Sequence, residues 1–244
     1  VLADQVGVHF LGLGEHHRTD FAISSPEIVL AAVAARTSRI RLGSAVTVLS
    51  SDDPVRVFQR FSTLNAISNG RAEVILGRGS FTESFPLFGY ALDDYELLFE
   101  EKLDLFATLI RSDSVTWSGE TRAALNAQHI FPKLGDGLQV WVGVGGSPES
   151  VVRVVRQDLQ MMLAIIGGDP KRFAPYFDLY REAWLRANRK PEEVRLSLNM
   201  HGFVADTTQA AKDIFYAPHN AVMNRIGKER GWQPSGRAEF EASC

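Results

Sequence analysis

The sequence predicts an α/β protein whose parallel sheet is arranged as a (β/α)8 TIM barrel, and three observations predict it. Apolar runs of strand length alternate with segments of helical spacing along the chain. The runs are apolar on both faces, as strands of a parallel sheet covered on both sides are. The first strand-to-helix turn, Gly12-Leu13-Gly14, lacks the third glycine of G-x-G-x-x-G and runs into charged residues, which argues against an open dinucleotide-binding sheet. Six strand–helix units are countable, with strands near Val8, Ile40, Ala72, Val140, Met161 and Leu196, two fewer than a closed barrel needs.

Val8 to Gly14 reads as the first strand. Ser24-Ser25-Pro26-Glu27 opens a helix to about Ala35, since serine caps and proline suits the first helical position. Its apolar face carries Ile28, Val29, Leu30, Ala32 and Val33. Arg39 to Leu42 begins the next strand and Ala45 to Leu49 continues it. Asp53-Pro54 opens a second helix, with Val55, Phe58, Phe61, Leu64 and Ile67 at helical spacing, and Asn69-Gly70 ends it in a turn. Ala72 to Leu76 is a short strand. An irregular stretch from Gly77 to Asp94 leads to a long helix from about Tyr95 to Ile110, and Val115 to Pro132 reads as a hairpin-like excursion. Val140 to Val144 is a strand, followed by a helix start at Gly145-Gly146-Ser147-Pro148-Glu149-Ser150. Met161 to Ile166 is a strand, Pro170 to Ala187 a helix and Val194 to Val204 a strand. Thr207 or Thr208 caps a last helix towards Phe215, and the tail to Cys244 is polar and weakly patterned.

The 244 residues are 45% hydrophobic and 23% charged, enough for one large core, and a single domain over residues 1–244 is expected. A formal net charge of −3 gives no electrostatic reason for nucleic acid or an anionic membrane as a partner. No uninterrupted apolar run approaches the roughly 20 residues that span a bilayer, and no signal-peptide pattern is present. The only cysteine is Cys244, so an internal disulfide is impossible and a reducing cytoplasm is the expected compartment.

In a barrel, groups at the C-terminal strand ends converge on one face. Those ends read Glu15-His16-His17, Val46-Thr47, Gly77-Arg78-Gly79-Ser80 and Gly145-Gly146-Ser147, with His201-Gly202 in a later segment. The Gly145-Gly146-Ser147 turn opens a helix, whose unpaired N–H groups and dipole suit an anion. Ser147 or Ser150 is placed to add a hydroxyl, and Arg78 to add the charge; a plain helix cap beside a surface arginine is the competing reading. Adjacent histidines on a strand point in opposite directions, so His16 and His17 are poorly placed to share a metal ion. Acid/base or hydrogen-bonding use of one imidazole and a structural histidine both remain open. Asp53 before Pro54 and Asp93-Asp94 before the long helix read as helix starts. His201 is read either as facing the mouth or as a core histidine. Phe81, Phe85, Phe88 and Tyr90 are either a lid or substrate wall, or packing under a loop.

These strand ends, in this order, resemble the bacterial luciferase-like flavin-dependent monooxygenase family. The matching stretches are Glu15-His16-His17; Gly43 to Leu49 followed by Asp53-Pro54-Val55-Arg56; Ser68-Asn69-Gly70-Arg71; Gly77-Arg78-Gly79-Ser80; Phe88-Gly89; and Val140-Trp141-Val142 with Gly145-Gly146-Ser147. The likeness runs from residue 1 to about Trp232. It implies a (β/α)8 barrel that uses reduced FMN, supplied by a separate flavin reductase, and O2 to oxygenate a small organic substrate, which the aromatic loop of Phe81, Phe85 and Phe88 suggests is apolar. It implies His16 as the catalytic imidazole and Arg78 with Gly145 and Gly146 as the phosphate anchor. Luciferase has a Glu-Ser pair at Gly145-Gly146, so contacts there would come from backbone N–H groups, with Ser147 or Ser150 assisting. It also implies a non-proline cis peptide between Ala45 and Val46, under the flavin ring.

The resemblance further implies that Val1 to Gly7 is the tail of a helix entering the second barrel strand. The first strand and the last strand and helix then lie outside this sequence. A homodimer is expected, through the apolar helices near Ile28 and Val55. Two other readings stand beside the monooxygenase. One is an F420-dependent dehydrogenase of the same superfamily, and the other a flavin-free binding protein that keeps the barrel.

Overall fold

The computed structural model describes residues 1–79 and 81–242. Ser80, the last residue of the Gly77-Arg78-Gly79-Ser80 motif, and Cys244 lie outside the described residues. A short helix α1 (Leu2–Gln5) leads to β1 (Phe10–Leu13), α2 (Pro26–Ala34), β2 (Arg41–Val48), α3 (Pro54–Ile67) and β3 (Ala72–Gly77). The irregular stretch holds α4 (Ser84–Phe88), and then come α5 (Tyr95–Arg111) and an antiparallel hairpin of β4 (Val115–Trp117) and β5 (Leu125–Gln128). The chain continues as β6 (Gln139–Val144), α6 (Pro148–Arg156), β7 (Gln160–Ile165), α7 (Ala174–Arg186), β8 (Leu196–Met200), α8 (Thr208–Arg230) and α9 (Arg237–Ala242). Six strands form one parallel sheet in the order β1-β2-β3-β6-β7-β8. The sheet is curled, as six consecutive strands of a (β/α)8 barrel are.

The starts of the helices follow local chemistry. Asp53 caps α3 by accepting from Val55 N at 2.9 Å and Arg56 N at 3.2 Å, and Pro54 fills the first turn, where no N–H partner is needed. Ser147 caps α6 and Thr207 caps α8 in the same way. Asn69 and Gly70 close α3 with φ of 55° and 77°. Asp94 occupies the N-cap position of α5 without a side-chain cap bond.

The strands alternate, and the two faces pack differently. Leu42, Val74, Leu76, Val142, Val144, Met161 and Leu163 meet the helices, where Val57, Phe61, Leu103, Phe106, Val151 and Val154 complete the main core. Each such side chain contributes about 1.5–3 kcal/mol on burial. The concave face is smaller: Ile75, Trp141 and Met162 pack with Phe10, Ala45 and Val46. Its N-terminal end is closed by polar groups. Glu73 is paired with Arg41 and accepts from Trp141 Nε1 at 2.9 Å, and Arg41 also donates to Ala72 O and Gly137 O. The buried carboxylate is thereby satisfied, and the C-terminal strand ends are left to build a site.

The polar tail expected beyond Phe215 is helical instead. α8 continues through Pro218 to Arg230 and ends at Gly231, whose φ is 71°, the left-handed cap glycine favours. Asn224 then holds the returning chain, accepting from Ser235 N at 2.8 Å and donating to Ser235 O at 3.0 Å. Phe240 of α9 packs on Phe215, Tyr216 and His219. These stabilising contacts are tertiary, which is why the weak local pattern gave no sign of them. Across the sheet, Arg225 of α8 pairs with Asp20 in the loop after β1 at 2.9 Å, so the element after the last strand is tied to the loop after the first.

Candidate active site

β1 ends at Leu13, and the next residues divide the work of its strand end. Glu15 Oε2 accepts from Val48 N at 2.9 Å, and Glu15 Oε1 lies 3.0 Å from His17 Nε2. Burial pushes the Glu15 carboxyl up, and the Val48 amide and His17 oppose it. Glu15 and His17 therefore stitch the ends of β1 and β2 together. His16 turns the other way, as adjacent residues in extended chain do. Its ring lies 3.9 Å, centroid to centroid, from Phe21 and 5.2 Å from Phe81. Burial among these rings pulls the imidazole below its ordinary value, with Glu83 as the main opposing charge; His16 Nδ1 is 3.9 Å from Glu83 Oε1.

The Ala45–Val46 peptide is cis, and the pairing of β2 with β3 shifts register between Ala45 and Thr47. Val46 turns into the concave face, where a Cβ on Gly77 would stand 2.7 Å from Val46 Cγ2. A Cβ on Gly14 would lie 3.4 Å from the Ala45 carbonyl oxygen and 3.5 Å from His16 Nε2. A side chain at Gly14 would thus touch both the Ala45 carbonyl and the His16 imidazole.

Leu76 of β3 pairs with Val142 of β6, so two residues further on Arg78 is level with Val144 and next to Gly145. The Arg78 guanidinium is paired with Glu96 and lies 5.1 Å from the Tyr95 ring centroid. Arg153 of α6 shares Glu96 at 3.0 Å. A Cβ on Gly145 would meet no atom within 4 Å. Gly146 has φ of 99°, and a Cβ there would lie 3.2 Å from the Phe173 ring, so glycine is needed for conformation and space alike. The Ser147 hydroxyl oxygen accepts from Ser150 N at 3.3 Å and lies 2.9 Å from Ser150 Oγ, so the two serines serve the cap first. A cation, an uncluttered glycine turn and a helix N-terminus on neighbouring strands fit a phosphate group.

A profile described as luciferase-like monooxygenase matches residues 1–242. The chain belongs to the luciferase-like monooxygenase family. A 4-hydroxyprotoasukamycin monooxygenase of Streptomyces nodosus subsp. asukaensis is 36% identical over 151 residues, 59% of this chain and 40% of that protein. The first curated relatives matched are each spanned over 34–40% of their own length. The oxygenating constituent of 3,6-diketocamphane monooxygenase of Pseudomonas putida, solved with FMN, superposes with a TM-score of 0.77 at 19% identity, over 98% of this chain and 74% of that one. An F420-dependent secondary alcohol dehydrogenase superposes equally, TM-score 0.77 at 17% identity, over 99% and 77%. Both superpositions bear on the fold.

In this luciferase-like monooxygenase chain the aromatic loop is split. Phe85 is fully buried and stacks on Tyr95 at 5.5 Å, so it is core. Phe81 borders His16, and half-exposed Phe88 borders His17 at 5.0 Å. His201 lies just past β8 and meets His219 of α8 edge-on at 5.3 Å, in a cavity of about 310 Å³ with Ile165, Met200, Phe215 and Met223. Two site-proximal residues carry no sequence signature. Glu83 faces His16. Lys102 is buried, donates to Ser50 O at 2.6 Å and lies 3.9 Å from the Tyr90 ring centroid. Among the described residues no group of three or more His, Cys, Asp or Glu is placed to hold a metal ion, and no helix is long and apolar enough to cross a membrane.

Proposed function

We propose that the protein is a flavin-dependent monooxygenase that binds reduced FMN at the C-terminal strand ends and oxygenates a small, apolar organic substrate with O2. The observation that carries this reading is the placement of His16 Nε2 and the Ala45 carbonyl oxygen close to Gly14, 3.5 and 3.4 Å from where its Cβ would stand. The Arg78 and Gly145-Gly146 turn two and three strands further round the sheet supports it. When bound, reduced FMN supplies the electrons that activate O2.

The chain's own residues bind, orient and shield. Arg78, now paired with Glu96, would hold the phosphate, and backbone N–H groups of the Gly145-Gly146-Ser147 turn would add donors. Ala45 and Val46, the latter beside Gly77, would offer the cofactor an apolar surface. Phe21 and Phe81 cover part of the His16 ring. Burial favours the neutral form of that imidazole, which would let His16 accept a proton and return it. A separate flavin reductase delivers the reduced cofactor, as the name "oxygenating constituent" of the structural relative suggests. Ile28 and Val29, 70% and 39% exposed on α2, are apolar positions offered to a homodimer, whereas Val55 of α3 packs against the core.

F420-dependent hydride transfer is the second reading, since an F420-dependent dehydrogenase shares this fold as fully as the FMN-bound relative does. Mass spectrometry of the cofactor released from the purified protein, with its visible spectrum, separates the two. FMN supports the monooxygenase, a deazaflavin supports the dehydrogenase, and failure to load either into folded protein supports a flavin-free binding role.

A further inference from the structure

Glu83 stands apart from the other acidic groups near the strand ends. It precedes α4 at the N-cap position, yet its side chain caps nothing. One carboxylate oxygen, Oε2, is buried without a hydrogen-bond partner, and the other lies 3.9 Å from His16 Nδ1. A buried unpartnered carboxylate oxygen is rare and costly unless something completes it. The neighbouring Ser84 hydroxyl is likewise buried and unpartnered. The gap to Nδ1 closes with one bridging water or a shift of about 1 Å.

The two nitrogens of His16 face different surroundings. Nδ1 looks towards Glu83, whereas Nε2 lies 3.5 Å from where a Gly14 Cβ would stand. We propose that Glu83 is a positioning residue which holds the proton of His16 on Nδ1, so that Nε2, the nitrogen near Gly14, carries the lone pair. The idea rests on the reading of His16 as the proton-handling residue and extends it to a second residue. A carboxylate that fixes one imidazole nitrogen as donor makes the other the base. His16 then has one tautomer and one orientation before any ligand arrives.

Other charges also act on His16. Arg18 and His17 disfavour its protonation, and Asp20, which is paired with Arg225, favours it. Glu83 is the strongest of the four, and it is the one brought from a different strand end.

The test is nitrogen-15 NMR of the His16 ring in the flavin-free protein, for the wild type and for Glu83→Gln, Glu83→Asp and Asp20→Asn. In the wild type the Nδ1-protonated tautomer dominates. Glu83→Gln lowers the His16 midpoint by about half a pH unit and mixes the tautomers. Glu83→Asp restores both in part, and Asp20→Asn shifts the midpoint less. With FMN present, Glu83→Gln lowers kcat at least about tenfold while the Kd for FMN is unchanged. An unchanged tautomer and midpoint in Glu83→Gln overturns the proposal. Should Glu83→Gln not fold, Glu83→Asp carries the test: a midpoint and tautomer indistinguishable from Asp20→Asn overturns it equally. Normal turnover by His16→Ala, with the tautomer behaving as stated, instead overturns the role of His16 and leaves the contact standing.

Discussion

His17 Nε2 and Glu15 Oε1 face each other at 3.0 Å, and this pairing is what distinguishes the two adjacent histidines. Glu15 spends its second oxygen on the Val48 amide, so His17 is bound into the joint between β1 and β2. His16 is left to border the concave face.

The two imidazoles therefore fail differently when removed. His17→Ala leaves the buried Glu15 carboxylate with one partner fewer and costs about 1–3 kcal/mol of stability, measured by urea unfolding, while FMN affinity stays within twofold. His16→Ala changes stability little and impairs turnover far more than FMN binding. A His16→Ala variant that turns over like the wild type sinks the assignment.

Arg78 is expected to read the phosphate and not the ring. Arg78→Ala weakens FMN about 10- to 100-fold, the loss of a charge-assisted hydrogen-bond pair, and leaves riboflavin affinity nearly unchanged. Glu96→Gln, which releases the guanidinium from its present partner, tightens FMN. Parallel fluorescence titrations with FMN and riboflavin check both, and an equal loss for the two ligands in Arg78→Ala speaks against a phosphate contact.

Gly146→Ala puts a side chain at φ of 99° and a methyl 3.2 Å from the Phe173 ring. The fold should lose about 1–2 kcal/mol and the turn its shape. Chemical denaturation that finds Gly146→Ala as stable as the wild type contradicts this account of the turn.

Burial lowers the Lys102 ammonium from an ordinary 10.5 to about 8, with Asp52 and Asp53 opposing. Between these values the unfolded chain binds more protons than the folded one, so this lysine's contribution rises with pH from about 8 to 10.5. Below 8 the full cost of a buried charge is carried. The unfolding free energy of the wild type minus that of Lys102→Met should accordingly climb across that window. A flat difference contradicts the lowered value.

Much of the framework was legible because it is local. Asp53-Pro54, Ser147-Pro148 and Asn69-Gly70 mark helix ends by chemistry that acts within a few residues, and β3 and β6 are short apolar runs with no competing pattern. The positions of His16, Arg78 and the Gly145-Gly146 turn at successive strand ends follow from that order. The cis peptide at Ala45–Val46 was expected from the family likeness alone; nothing in Ala45 or Val46 as residues indicates it. What stayed hidden depends on distant partners. Phe85 looks like its neighbours in sequence but is buried against Tyr95. Glu83 gains meaning only when the loop after β3 folds over β1, and α8 persists past Pro218 because α9 and the Ser235 turn pack against it.

Anaerobic equilibrium titration of the protein with reduced FMN, and with reduced F420 alongside, tests the central claim most directly. Saturable binding of reduced FMN at one site per chain, tighter than that of F420, is the result expected of strand ends built from His16, Ala45-Val46, Arg78 and Gly145-Gly146. Absence of saturable FMN binding by folded protein, or tighter binding of F420, contradicts it.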